Sequence, residues 1–413
     1  MSNVGTEEWQ IILLPLENAN HASKHFRSSV VMITALSALV NNFSRRVISA
    51  LILLTCLCLP TVPISAKTEV VLSEPLTIRW RYDSTSTLNL TPASDAEHIY
   101  LPLGGGVLIA LQAKDGQLYW RTEIGGELSA SPVADESAIY VASEILPTGS
   151  DAPKGSSGAL RALGREGGVT QWLTPLVKPL RGAIAVKDGK LFAGGSDGRA
   201  YAFDKRTGGV FWSIPFPAPF SGEPVADADR VYFGSEDGTL LALEESTGKL
   251  LWRYRTKGAI RSVAVSNGNV FFGSKDGYVY STRADNGHLN WRKRTGGGVE
   301  AVVLSGESLL VASLDNFAYL LSLKGSVQWK RLLPGRISAE PLAIQEAALF
   351  TPLSTTTAVV LALRDGKQVN ALEAGEELTS SAAPIVVGDA VFVTTEHGLV
   401  AFARPTDSTA TKH

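Results

Sequence analysis

The sequence predicts an all-β fold, an eight-bladed β-propeller of four-stranded antiparallel blades closed by its own N-terminal strand. Three observations predict it. Seven tryptophans, Trp80, Trp120, Trp172, Trp212, Trp252, Trp291 and Trp329, recur at intervals of 40, 52, 40, 40, 39 and 38 residues. A glycine stands four residues before six of them: Gly116, Gly168, Gly208, Gly248, Gly287 and Gly325. The two ends of the repeat region are incomplete in complementary ways. A period near forty residues suits one propeller blade, a unit that cannot bury its apolar faces alone and so stacks on its neighbours.

One unit shows the strands most clearly. In Pro224 to Trp252, a short apolar strand at Pro224-Val225-Ala226 is followed by a turn at Asp227-Ala228-Asp229. Arg230 to Gly234 and Thr239 to Leu243 flank the turn Ser235-Glu236-Asp237-Gly238, and Lys249 to Trp252 follows Ser246-Thr247-Gly248. The Asp-Gly pair recurs at Asp197-Gly198 and Asp276-Gly277, and as Asp315-Asn316. It predicts a type I′ hairpin turn, whose two central residues both take positive φ. The one long interval is accounted for by an insertion, Glu144 to Ser157, rich in Gly, Ser, Pro and Asp.

Six residues before the repeat glycine stand Ala110, Ala162, Ala202, Ala242 and Ser281. Small residues at both places leave room for a flat indole against backbone. The sixth repeat has Tyr319 where the alanine belongs, and the seventh, around Gly366, has Asn370 in place of tryptophan. The segments Ala202 to Trp212 and Ala242 to Trp252 resemble the tryptophan-docking motif of quinoprotein-type propellers. That superfamily includes pyrroloquinoline-quinone (PQQ) dehydrogenases and the lipoprotein propeller subunits of the outer-membrane β-barrel assembly machinery. The resemblance spans about residues 77–403, which are read as one domain.

Seven units run from Ile99 to about Asn370. An eighth begins at Ser381-Ala382-Ala383-Pro384 and ends near Leu399 to Phe402, without a fourth strand. Thr77-Ile78-Arg79-Trp80, with nothing of a blade before it, supplies the missing strand and removes the open edge. Seven blades is the alternative, should the weak seventh unit be a linker.

Residues 1–66 are read as an N-terminal extension and signal peptide, and 404–413 as a disordered tail. Arg45-Arg46 precede the apolar run Val47 to Pro60, and Ile64-Ser65-Ala66 offer a cleavage site after Ala66. The run is short for a membrane span. Both cysteines, Cys56 and Cys58, lie in it, so the processed chain has no disulfide framework. Leu53-Leu54-Thr55-Cys56 is a poor lipobox, which leaves lipid attachment at Cys56 open. Ser44-Arg45-Arg46 matches part of a twin-arginine signal, and Met32 is an alternative start.

A net charge of −2 gives no bulk field for nucleic acid or an anionic membrane. His98, His288 and His397 fall in different repeats without metal-ligand spacing, and no nucleophile elbow occurs. Gly104-Gly105-Gly106 lacks the strand–helix context of a phosphate loop and reads as the second-to-third-strand turn of the first blade. These features argue for a monomeric binding protein without a cofactor, and against an enzyme. Candidate partner-binding residues are the arginines before first strands, Arg181, Arg261 and Arg336, and the two phenylalanines of Ile214 to Phe220, Phe216 and Phe220. For Phe216 and Phe220 the competing role is packing between blades.

The resemblance implies a periplasmic scaffold that docks on an envelope protein partner, the barrel-assembly complex. Two other readings stay open: a periplasmic ligand- or polymer-binding sensor propeller, and a PQQ-dependent dehydrogenase.

Overall fold

A computed structural model describes residues 69–144, 155–353 and 355–405. The leader, its cysteines, the core of the insertion and the C-terminal tail lie outside these residues. Within them, thirty-two strands form eight four-stranded sheets, and no helix is long and apolar enough to cross a membrane. Blades 1 to 7 are continuous in sequence, spanning 93–123, 133–176, 180–215, 225–255, 263–294, 299–332 and 342–373. Blade 8 takes three strands from 385–403 and its outermost from Thr77–Asp83, which runs antiparallel to Gly398–Ala403. The eighth blade and its N-terminal closure are as the sequence predicts.

The interior consists of eight apolar clusters, each shared by two neighbouring blades. Tyr232, Leu240 and Ala242 of blade 4, for example, pack with Ile260, Val270 and Phe272 of blade 5. This follows from strand geometry. Alternate side chains point to opposite faces of a sheet, and both faces of every blade meet another blade, so the middle strands are buried and mostly apolar.

The tryptophans join the blades. Trp252 sits opposite Ala242 in its own sheet, next to a bulge, and its indole extends to the following blade. There its N–H donates to the carbonyl of Ala284 at 2.8 Å. The repeat glycine serves the preceding blade's indole: a Cβ on Gly248 would fall 2.7 Å from Trp212, and its φ of +72° is one that side chains rarely adopt. Seven junctions share this arrangement, with N–H to carbonyl distances from 2.6 Å at Trp329 to 3.2 Å at Trp172.

Two sequence expectations are corrected. In the Asp-Gly turns only the last residue has positive φ, as at Gly198, Gly238, Gly277 and Asn316. Each is a type I turn ending in a left-handed residue, with the aspartate accepting from a backbone N–H two residues on, as Asp197 does from Arg199 at 3.0 Å. In blade 6, Leu320 and not Tyr319 lies opposite Trp329. The turn there closes from Ser322 to Ser326, one residue shorter than Glu244 to Lys249 in blade 4, which shifts the register.

Candidate partner-binding face

Antiparallel connectivity divides the loops between two faces. Second-to-third-strand turns and the links between blades lie on one, the connector face; the other two turns of each blade lie on the opposite face. Arg181, Arg261, Arg336, Phe216, Phe220 and the described ends of the insertion, Glu144 and Gly155 to Ser157, all fall on the connector face.

The three arginines are not equivalent. Arg181 lies on the first strand of blade 3 and pairs with Glu144 of blade 2 at 2.6 Å. Arg261 precedes the first strand of blade 5 and grips Glu236 of blade 4 through Nε at 3.0 Å and a terminal nitrogen at 3.3 Å. Those hydrogen bonds raise its already high pKa. Arg336 lies farther from its strand, at the neck of the blade 7 turn, where its carbonyl accepts from Leu353 at 2.8 Å. It is exposed, with no carboxylate in ion-pair range among the described residues. Two of the three are thus held on the rim by neighbouring carboxylates, and one is not.

The phenylalanines divide as well. Phe220 is 1% exposed. Its ring meets Phe233 at 5.5 Å and lies where a Cβ on Gly194 would be, so it packs between blades 3 and 4. Phe216 is half-buried, edge-on to Phe220 at 6.0 Å. Packing therefore takes all of Phe220 and part of Phe216. His98 stacks on Tyr119 at 4.5 Å, while His288 and His397 belong to turns of other blades. Among the described residues no three His, Cys, Asp or Glu gather as a metal site.

The connector face opens onto the central channel through a cavity of about 280 Å³. Thr91, Ser131, Glu223, Glu340 and Ala383, each just before a first strand, and Ala183, within one, contribute to its wall. Ser131 and Thr91 hydroxyls accept backbone N–H bonds from the preceding blades, at 3.1 Å each. Glu223 and Glu340 sit at the same place in blades 4 and 7. Glu340 is exposed to the cavity yet surrounded on its other sides by protein. Loss of hydration, with Glu223 adding like charge, pushes its carboxyl up to about 7. Glu223 is raised by loss of hydration too.

On the opposite face, side-chain pairs that the tryptophan spacing did not bring to notice bind adjacent blades. Arg165 of blade 2 holds Asp95 of blade 1 at 2.6 Å, and Lys205 of blade 3 holds Asp135 of blade 2 at 2.7 Å. Arg165 and Lys205 are also the residues whose carbonyls accept the indole N–H of Trp120 and Trp172. Burial alone would raise the Asp135 carboxyl. Lys205, the Ser137 hydroxyl and the backbone N–H groups of Ser137 and Ala138 outweigh it and bring it down to about 2. Both pairs are separated by 70 residues and are offset from each other by one 40-residue period, a signal available in the sequence.

Eight blades, seven of their junctions clamped by indoles, with the first and last described strands meeting in one sheet, define a PQQ-like β-propeller. Residues 67–151, 156–263 and 255–412 match the family model of the outer membrane protein assembly factor BamB, and the chain belongs to that family. The outer membrane protein assembly factor BamB of Yersinia pestis is 31% identical over 107 residues, 25% of this chain. The aligned stretch spans only 24% of that relative's length. Among solved structures, BamB from Moraxella catarrhalis superposes with a TM-score of 0.66 at 15% identity, over 82% of this chain and 100% of the other. The computationally designed Ika8 protein superposes with a TM-score of 0.67 at 14% identity, over 79% and 99%. At these identities the structural likeness shows the fold alone.

Proposed function

We propose that this protein is a non-catalytic scaffold of the cell envelope, exported to the periplasm, that takes part in outer membrane protein assembly and docks a barrel-assembly partner on its connector face. The observation that carries this reading is the family match, which runs from residue 67 to 412 and so takes in all eight blades. A rigid ring suits such a role, because its loops vary while the blades hold them in position. Arg181, Arg261 and Arg336 are the proposed contacts. Guanidinium groups match partner carboxylates in bidentate geometry, and Arg336 is available without first breaking a pair. The channel mouth supports a ligand-binding sensor less well, since no aromatic side chain lines it among the described residues.

In-cell crosslinking followed by pull-down of the tagged protein from its native envelope tests the proposal. The barrel-assembly complex should be recovered, and recovery should fall when Arg181, Arg261 and Arg336 are replaced together by alanine. Recovery of no assembly component would overturn the reading.

A further inference from the structure

The junction between blades 7 and 8 is built differently from the other seven. Asn370 occupies the tryptophan position, opposite Val360, and its Nδ2 donates to the carbonyls of Leu72 at 3.0 Å and Glu74 at 2.6 Å. These two residues bracket the place, seven before Trp80, from which six other junctions present their single carbonyl. Where those junctions have glycine, four residues before the tryptophan, this one has Leu76, which is 8% exposed. A small amide and a large aliphatic thus replace a large indole and a glycine. With Val70 and Leu72, both 2% exposed, Leu76 packs on Leu349, Val360, Leu372 and Val393.

The covalent difference is equally important. In blades 1 to 7 a turn joins the third and fourth strands. In blade 8 the third strand ends at Ala403 and the fourth begins at Thr77, so no turn ties the segment that accepts Asn370, residues 69–76, to the third strand of its sheet. Two side-chain contacts support its course: Glu74 with Arg404 at 2.7 Å, and Glu69 with Gln345 at 3.3 Å. A segment with no covalent turn to the rest of its sheet can lift without unfolding a blade, and segments held by few contacts open at lower free energy than hairpins.

We propose that residues 69–76 are a releasable latch and that the ring opens first at the seam between blades 7 and 8. Release removes both partners of the Asn370 amide and bares the apolar floor beneath Leu72 and Leu76, while the seven indole clamps stay closed. The fourth strand of blade 8 follows, held by Trp80 against Ala113 and Gly116 of blade 1.

Native-state hydrogen exchange on the full chain tests this. Amides of Leu76 to Tyr82 and of Asn370 to Leu372 should open at least about tenfold faster than Leu250 to Tyr254 at the junction of blades 4 and 5. Equal or slower exchange at the seam would overturn the proposal. A second measurement uses paired substitutions. Asn370→Trp alone should speed seam exchange by colliding with Leu76, and Leu76→Gly alone should speed it by leaving a void. The two together should recover at least the wild-type protection. A double variant that exchanges as fast as the sum of the singles would contradict the size exchange on which the latch rests.

Discussion

The arc from blade 1 to blade 6 and the arc that returns from blade 6 through blades 7 and 8 to blade 1 are joined by different forces. Every boundary in the first is crossed by an ion pair: Arg165–Asp95, Lys205–Asp135, Arg181–Glu144, Lys190–Glu245, Arg261–Glu236 and Lys275–Glu300. Among the described residues, none crosses the three boundaries of the second; Arg79–Asp389 and Arg404–Glu74 both lie within blade 8. Apolar clusters and indole clamps are shared by both arcs. The comparison teaches that burial sets the ring and charge adds a second fastening to one part of it. Arg181 and Arg261 belong to the fastened arc and Arg336 to the other.

The largest effects should ignore this boundary. Trp212→Ala in the ion-paired arc and Trp329→Ala in the other should each cost about 3–5 kcal/mol in urea unfolding, since each removes a buried indole and leaves a cavity. A loss at Trp329 much smaller than at Trp212 would mean that the second arc is not held by its clamps.

The next effect should divide the arcs. Asp95 accepts from Tyr100, from the backbone N–H groups of Glu97 and His98, and from Arg165. Those bonds outweigh the effect of its burial and hold its carboxyl well below the ordinary range. Asp95→Asn should cost about 2 kcal/mol, as hydrogen bonds to a charged group are lost. Asp389→Asn, whose Arg79 pair is more exposed, should cost roughly 0.5 kcal/mol or less. Equal losses in urea unfolding would erase the distinction.

Smaller effects should appear against pH, with opposite signs at two places. The Asp135 carboxyl is depressed when folded, so its contribution is present above about pH 4 and fades as pH falls towards 2. The Glu340 carboxyl is raised, so stability is full below its unfolded value, near pH 4.5, and is lost as pH rises through about 7. Glu340→Gln should therefore raise the melting temperature at pH 8 and leave it unchanged at pH 4. A gain of the same size at both values would locate the effect away from the carboxylate.

Much of the fold was legible because its period is carried by residues with few substitutes. An indole clamp needs a tryptophan and a left-handed glycine and, in every blade but the sixth, has a small residue across the strand, and these recur even where the rest of the blade varies. The closing strand was legible because Trp80 stood without a blade before it. The latch was not, because Leu76 and Asn370 are ordinary residues whose meaning appears only when they meet, 294 positions apart. The rim was legible only in part. Position before a first strand marked three arginines alike, whereas loop lengths set them at different depths, and the proline-rich link left packing and exposure open for Phe216 and Phe220 alike, although only Phe220 turns fully inward. The Glu223–Glu340 pair was hidden because each precedes a proline in its own blade, and nothing local says that both face one channel.

Site-specific photocrosslinking in the native envelope, with the reactive residue placed in turn at Arg181, Arg261 and Arg336 and, on the opposite face, at Lys114, Arg206 and Lys249, tests most directly whether the connector face is the docking face. Crosslinks to a barrel-assembly component from the first three positions and not from the last three are the predicted result. Crosslinks confined to Lys114, Arg206 and Lys249 would contradict it and put the partner on the opposite face.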